Sequence, residues 1–386
     1  MKGLSALSPP VLASDRLLLW TTPHSKTFQT SLEAGLSDIA ILKLFKVMSH
    51  SLDESTRSNY GAGLLRFTQF CDTNNIPEAD RMPASETLLS SFAASAAGLT
   101  SEKTLSNWLA GLHYWHVVNG APWHGADMLH HVRRGFAKLV PPSSKRAKRP
   151  PVTIEAMVAL KAGLDLSNAF DAAVWAVACI AFWSCCRLGE LLIPSLNLFD
   201  ITKHVSRAAI PTSDHILPDG TVYTTFHIPW TKTTAREGAD ISITLQQHVC
   251  CPLAALRHHV SANILIPNTA PMFSFETADG AWAPMTKPWF MSRCNDVWVA
   301  AGFPDMPGHA FRIGGATELL LQGINPDIVA TQGRWKSRAF LKYWRRIEVI
   351  LPLFISSSSN SSRTLNLDAS MSSFAQRHNL TLPSSV

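Results

Sequence analysis

The run AAVWAVACIAFWSCC, residues 172–186, holds no charged side chain and ends directly on Arg187. A helix that is apolar on every side is stable in water only when it is covered on every side. The stretch falls short of the roughly 18 apolar residues that mark a membrane span. It therefore predicts the central core helix of a soluble domain, with no membrane partner. Near the start of the chain, Pro9 and Pro10 interrupt the only candidate leader segment, so no targeting peptide is expected.

A chain of 386 residues has room for two domains and tails. Residues 1–35 show no sustained period and are expected to be a flexible leader. A helical domain is expected over 36–140. TRSNYGAGLLRFTQFC sets Tyr60, Leu64, Phe67 and Cys71 on one stripe at helix spacing. Pro83 and Ser85 open a segment with Leu88, Leu89 and Phe92. SEKTLSNWLAGLHYWHVVNG adds Leu105, Trp108, Leu109, Leu112 and Trp115, with Gly120 as a stop. GADMLHHVRRGFAKLV turns Leu129, Val132, Phe136 and Leu139 inward and leaves Arg133, Arg134 and Lys138 outside. Residues 141–153, PPSSKRAKRPPVT, read as a linker of four prolines and four cations. Lys145, Arg146, Lys148 and Arg149 admit compatible readings: a solvated hinge, a strap across a phosphate backbone, or a nuclear-import signal.

The second domain is expected over 154–352. TVYTTFHIPW alternates, with Val222, Thr224, Phe226, Ile228 and Trp230 on one face. ADISITL repeats the device with Ile241, Ile243 and Leu245. TKTTAREG between them reads as a long hairpin turn with Lys232 near its tip. Helical signals return at 252–262, 286–302 and 309–350, and the serine-rich 353–386 is expected as a flexible tail. The fold class is mainly α with a small antiparallel β-sheet. Seven cysteines, including the neighbours Cys185–Cys186 and Cys250–Cys251, indicate buried thiols in a reducing compartment. Cys250, Cys251, His258 and His259 are metal-type ligands, but adjacent duplicates on a helix cannot converge on one ion, so no metal is expected.

Three segments carry residues suited to chemistry. In CCRLGELL, Arg187 and Glu190 lie three apart, on one helix face. They are either a structural pair or part of a site. In PGHAFRIGGATELL, His309 and Arg312 are again three apart, at a helix start where free N–H groups favour an anion. Gly314, Gly315 and Ala316 permit another backbone to approach. GRWKSRAFLKYWRR, 333–346, places six cations around Tyr343, one of only four tyrosines. Tyr343 falls on the helical stripe Phe340, Tyr343, Trp344 and Ile347, which suits a core aromatic and a nucleophile equally.

The order of these parts, RLGE, a hairpin with TKT, HAFR, GRW and a basic YWRR segment, resembles the tyrosine recombinases, the phage-integrase family, and most closely its Cre-like branch. The resemblance spans roughly residues 50–350. It implies an N-terminal helical core-binding domain and a C-terminal catalytic domain that together clamp double-stranded DNA. It also implies a metal- and cofactor-free reaction through a 3′-phosphotyrosyl intermediate on Tyr343. Arg187 and Arg312 match the arginine pair, Glu190 the acidic support, Lys232 the hairpin lysine and His309 the histidine. Trp335 takes the slot before the tyrosine. Two guanidiniums would clamp the non-bridging oxygens, His309 and the indole N–H would add donors, and Lys232 would protonate the leaving 5′ oxygen. The stretch from Arg187 to Lys232 is long, with Lys203 as a local alternative. Gly333–Arg334–Trp335 also departs from the family's glycine–histidine by adding a charge. Arg57, Arg66, Lys103, Arg133, Arg134 and Lys138 are candidates for backbone contacts, in line with a formal charge of +6. The family implies a homotetramer on paired sites, and substrate and linker together suggest a nucleus. Two other readings are a catalytically silent DNA-binding protein derived from a mobile element and a type IB topoisomerase-like enzyme.

Overall fold

The structure, a computed structural model, describes residues 7–144, 149–211, 213–335 and 350. Tyr343, Lys145, Arg146, Lys148 and the serine-rich tail lie outside the described residues. The chain divides into two compact units, Met1–Ala147 and Lys148–Val386.

The first unit holds α1 (Arg16–Leu19), α2 (Pro23–Gly35), α3 (Asp38–Ser49), α4 (Glu54–Thr73), α5 (Glu86–Ser95), α6 (Glu102–Val118) and α7 (Asp127–Lys138). The expected stripes build its core: Leu64, Phe67, Cys71, Leu89, Phe92, Leu105, Leu109, Leu112, Trp115, Leu129 and Phe136 are all buried. α4 and α6 cross at near backbone contact. A Cβ on Gly63 would stand 2.5 Å from the Trp108 Cα, and one on Gly111 would stand 2.6 Å from the Tyr60 carbonyl oxygen. Leu139 departs from the expected stripe: α7 ends one residue before it, and its side chain is exposed.

Residues 7–35 differ from the flexible leader expected. Thr22 and Ser25 cap α2 reciprocally with Pro23 at its first position, and Leu17 and Trp20 are buried in the unit's core. The Trp115 indole donates to the Trp20 carbonyl at 3.0 Å. Two isolated anchors held by distant side chains leave no local period to read.

The second unit holds α8 (Ile154–Gly163), α9 (Ala169–Trp183), α10 (Leu188–Leu191), β1 (His215–Ile216), β2 (Val222–Ile228) and β3 (Ala239–Thr244). After these come α11 (Pro252–Ala262), β4 (Phe275–Glu276), β5 (Trp282–Ala283), α12 (Lys287–Ala300), α13 (His309–Leu321) and α14 (Pro326–Gln332). The apolar run is the core helix α9, buried from Asp171 to Trp183 and packed against α8, α11, α12, α13 and β4. β1, β2 and β3 form an antiparallel sheet in that order, with Thr224 opposite Ile243 and Phe226 opposite Ile241. Thr224, Phe226, Ile228, Ile241 and Ile243 face inward as the alternation requires, whereas Leu245 lies past the end of β3 and is exposed. β1 lies within the long stretch from Arg187 to Lys232, and β4–β5 form a second, two-stranded sheet.

α13 approaches the core helix more closely than any residue with a side chain allows. A Cβ on Gly314 would lie 1.9 Å from the Val152 carbonyl oxygen, and one on Gly315 would lie 1.8 Å from that of Phe182. Those glycines place the start of α13, with His309 and Arg312, against the end of α9.

Candidate active site

The core helix and the RLGE segment are not one helix. α9 ends in a turn in which the Cys185 N–H donates to Phe182 and the Cys186 N–H to Ala181, with Cys185 in the left-handed region at φ 47°. That is the helix-closing turn usually made by glycine. α10 then begins after Arg187, so Arg187 and Glu190 meet across a helix start. The Arg187 backbone N–H donates to Glu190 Oε2 at 2.9 Å and its Nη1 to Oε1 at 2.8 Å.

α14 ends in the same way. Arg334 donates its N–H to Thr331 and Trp335 to Ala330, with Arg334 at φ 58°. Arg312 lies between the two helix ends, 0% exposed, with Nη1 donating to the Cys185 carbonyl and Nη2 to the Gly333 carbonyl. Helix C-termini carry partial negative charge, which compensates a guanidinium removed from water. Trp335 completes the enclosure, its ring centroid 4.0 Å from the Arg312 Cζ. Burial first, then the Arg187 charge, lowers the Arg312 pKa to about 10, so it stays cationic at neutral pH. Arg312 is expected to face the phosphate beside Arg187; in this structure each terminal nitrogen donates to one backbone carbonyl, and Arg312 is not among the residues lining the cavity next to Arg187.

Next to Arg187 is a cavity of about 520 Å³. Arg187, Lys232 and His309 line it together with Arg149, Lys287 and Trp230. The backbone explains the gathering. Val152 N–H donates to the Ala310 carbonyl, tying the segment that carries Arg149 to the start of α13. Lys287 N–H donates to the Ile193 carbonyl, tying the start of α12 to the chain leaving α10. Lys232 projects from the turn between β2 and β3, where the Thr231 hydroxyl accepts the Thr233 and Thr234 N–H groups. Lys203, its alternative, is paired with Asp200 at 3.6 Å and is not among the residues lining the cavity.

The cavity is strongly cationic. Among the described residues Glu190 is its one carboxylate, and it is 3% exposed. Its Oε2 also accepts from Arg334 Nη2 at 2.7 Å. Burial pushes the Glu190 pKa up, but Arg334 and then Arg187 outweigh it and hold the carboxyl below its ordinary value. His309 is lowered too: burial, then Arg312, Arg149, Arg187 and Lys287, depress it to about 4. At neutral pH its imidazole is uncharged and able to give or take a proton.

Lys287 and the partnership of Arg334 with Glu190 escaped sequence reading. A single lysine at a helix start has no distinguishing spacing, and Arg334 read only as an added charge. In the first unit, Arg66, Lys103, Arg133, Arg134 and Lys138 are exposed and Arg57 is half-buried. Cys250, Cys251, His258 and His259 have separate partners. Cys251 caps α11, the Cys250 carbonyl accepts from Trp183, and the His258 ring meets the Leu166 carbonyl. His259 is 0% exposed because α11 packs it against Met272 and Asn263. Among the described residues no helix is long and apolar enough to cross a membrane.

No protein-family model matches the chain, and no curated protein matches its sequence. Among solved structures, XerH site-specific recombinase, bound to its palindromic difH substrate in a post-cleavage complex, matches with a TM-score of 0.52 at 14% identity. The match covers 92% of this chain and 98% of that one. The fold is that of the tyrosine recombinases. A Tn1549 transposon integrase in complex with transposon right-end DNA is also similar, at a TM-score of 0.47 and 14% identity over 88% of this chain and 100% of that one. The likeness is one of fold and does not single out the Cre-like branch.

Proposed function

We propose that this chain is a DNA-breaking and rejoining enzyme of the tyrosine-recombinase type, Cre-like in its catalytic set, with Tyr343 as nucleophile. The observation that carries the reading is the cavity in which Arg187, Lys232 and His309, from three separate segments, face one space with Arg149 and Lys287. Among the described residues, four cations without a free carboxylate suit a phosphodiester.

In this mechanism Arg187, assisted by Arg149 and Lys287, holds the non-bridging oxygens and stabilises the charge that builds on them. The Tyr343 phenol, whose free pKa is about 10, loses its proton as its oxygen bonds to phosphorus. Neutral His309 is suited to relay that proton. The bond from phosphorus to the 5′ oxygen breaks, and Lys232 supplies the proton that oxygen takes up. A 3′-phosphotyrosyl link and a 5′-hydroxyl result. Attack by a 5′-hydroxyl from a partner strand reverses the chemistry and rejoins DNA in a new order, so each break is conserved in the covalent link. Arg312 acts through the potential it adds and through the two helix ends it ties together. Four chains on two paired sites would supply the partner strands. The exposed cations of α7 and the linker cations would hold the duplex, and in a nucleated cell the linker would also serve import.

A nicked suicide duplex tests the reading. The wild-type chain should trap a covalent protein–DNA adduct that resists denaturation, without added metal. Tyr343→Phe should reduce the adduct below detection while duplex affinity stays within about twofold, since a phosphate contact of one neutral hydroxyl is a small share of binding. An adduct of unchanged yield from the phenylalanine variant would overturn the assignment.

A further inference from the structure

Resting on the strand-cleavage reading above, we propose that Arg334 is a positioning residue: through Glu190 it fixes the guanidinium of Arg187 and so couples the segment leading to Tyr343 to the phosphate-binding cavity. A lone acid–base pair would leave one Glu190 oxygen for solvent or for a second orientation of Arg187. Here each oxygen has its own guanidinium. Oε1 accepts from Arg187 and Oε2 from Arg334, with the Arg187 backbone N–H sharing Oε2. The carboxylate cannot rotate without losing all three bonds.

Arg334 is fixed as firmly as its target. Its left-handed backbone closes α14, and its Nη1 donates to the Gln332 carbonyl at 2.8 Å. Its Nη2 lies 3.5 Å from the Cys186 sulfur. The residue before it supplies the carbonyl that holds Arg312, and the residue after it supplies the ring that covers Arg312. One tripeptide, Gly333–Arg334–Trp335, therefore touches the environments of both arginines, and Tyr343 follows it in the chain. If that tripeptide withdraws, Glu190 loses a guanidinium and Arg187 loses its fixed partner. The arrangement makes the placement of Arg187 conditional on this tripeptide.

The groups facing Glu190 are Arg187 at the start of α10, Arg334 after α14, the Cys186 thiol in the turn after α9, and Arg312 from α13. Arg334 is the largest of the influences that keep the carboxyl ionised. Replacing it with a neutral amide lets Glu190 take up a proton at a higher pH. The bond to Arg187 is then present above that pH and lost below it.

The test uses the full chain with Arg334→Gln, Arg334→Lys, Arg187→Ala and the double variant Arg187→Ala/Arg334→Gln. Initial rates of adduct formation on the suicide duplex are read from pH 5 to pH 8, and duplex affinity is read for all. Arg334→Gln should form adduct about 10²-fold more slowly, the scale of a misplaced reacting group. Its deficit should widen as pH falls, and Arg334→Lys should recover most of the rate. In affinity, the effects of the Arg187 and Arg334 substitutions should be non-additive. A deficit that is the same at every pH and is not recovered by lysine reduces Arg334 to a helix-closing residue and overturns the proposal. A wild-type chain that forms no adduct overturns the strand-cleavage reading instead. The affinity cycle then decides the brace alone: non-additive effects uphold it, additive effects overturn it.

Discussion

The imidazoles of His116 and His259 show how closely single residues are specified. His116 Nδ1–H donates to the Leu112 carbonyl at 2.8 Å while its Nε2 accepts the Ala84 N–H at 3.0 Å. His259 Nε2–H donates to Met272 and its Nδ1 accepts from Asn263 at 3.0 Å. In each ring one nitrogen must donate and the other must accept, which only the neutral form can do. Burial depresses both pKa values to about 4. The sign follows: between about 4 and the unfolded value of 6.5, the unfolded chain binds more protons, so stability is full above that window and falls as pH drops through it. Going from pH 7 to pH 5 should remove about 2 kcal/mol per ring. The midpoint of urea unfolding should fall accordingly, and His259→Gln should show a shallower pH dependence. A midpoint unchanged down to pH 5 would refute the neutral assignments.

At the scale of elements, the close approach of α13 to α9 determines where the site is. Gly315→Ala drives a methyl group into the Phe182 carbonyl, and helix backbone cannot yield as a side chain would. It should destabilise the protein by about 3 kcal/mol. Gly135→Ala on α7 meets nothing within 4 Å and should stabilise it by about 0.5–1 kcal/mol, as alanine does in an open helix position. Urea unfolding of the two variants measures both. The long striped helices, the core helix, the β2–β3 hairpin and the GG contact were legible in the sequence because each is written in local periodicity or in a residue type with one steric use. The break between α9 and α10 was not, since Ser184, Cys185 and Cys186 carry no glycine or proline and a cysteine fills the left-handed position. Strands of two residues, such as β4 and β5, are too short to show alternation. The motif order led to the residues of the cavity, but the direction in which the Arg312 side chain points depends on two distant carbonyls, which no spacing encodes.

For the whole molecule, alongside a fold shared with XerH at 14% identity, the cavity of gathered cations supports one proposed chemical claim, a covalent bond from the chain to DNA through one tyrosine. Fold likeness at that identity carries topology, while the claim concerns an atom. The four tyrosines of the chain, Tyr60, Tyr114, Tyr223 and Tyr343, make the claim open to direct reading. Tyr60 packs partly buried in the first unit, Tyr114 donates its hydroxyl to the Met48 carbonyl, and Tyr223 stacks near His215 on the small sheet. Mass spectrometry of the DNA-linked peptide, released by protease from adduct trapped on a suicide duplex, should find a phosphodiester bond from the Tyr343 oxygen to a 3′ end. A link on any other residue, or a 5′ linkage, would contradict the account.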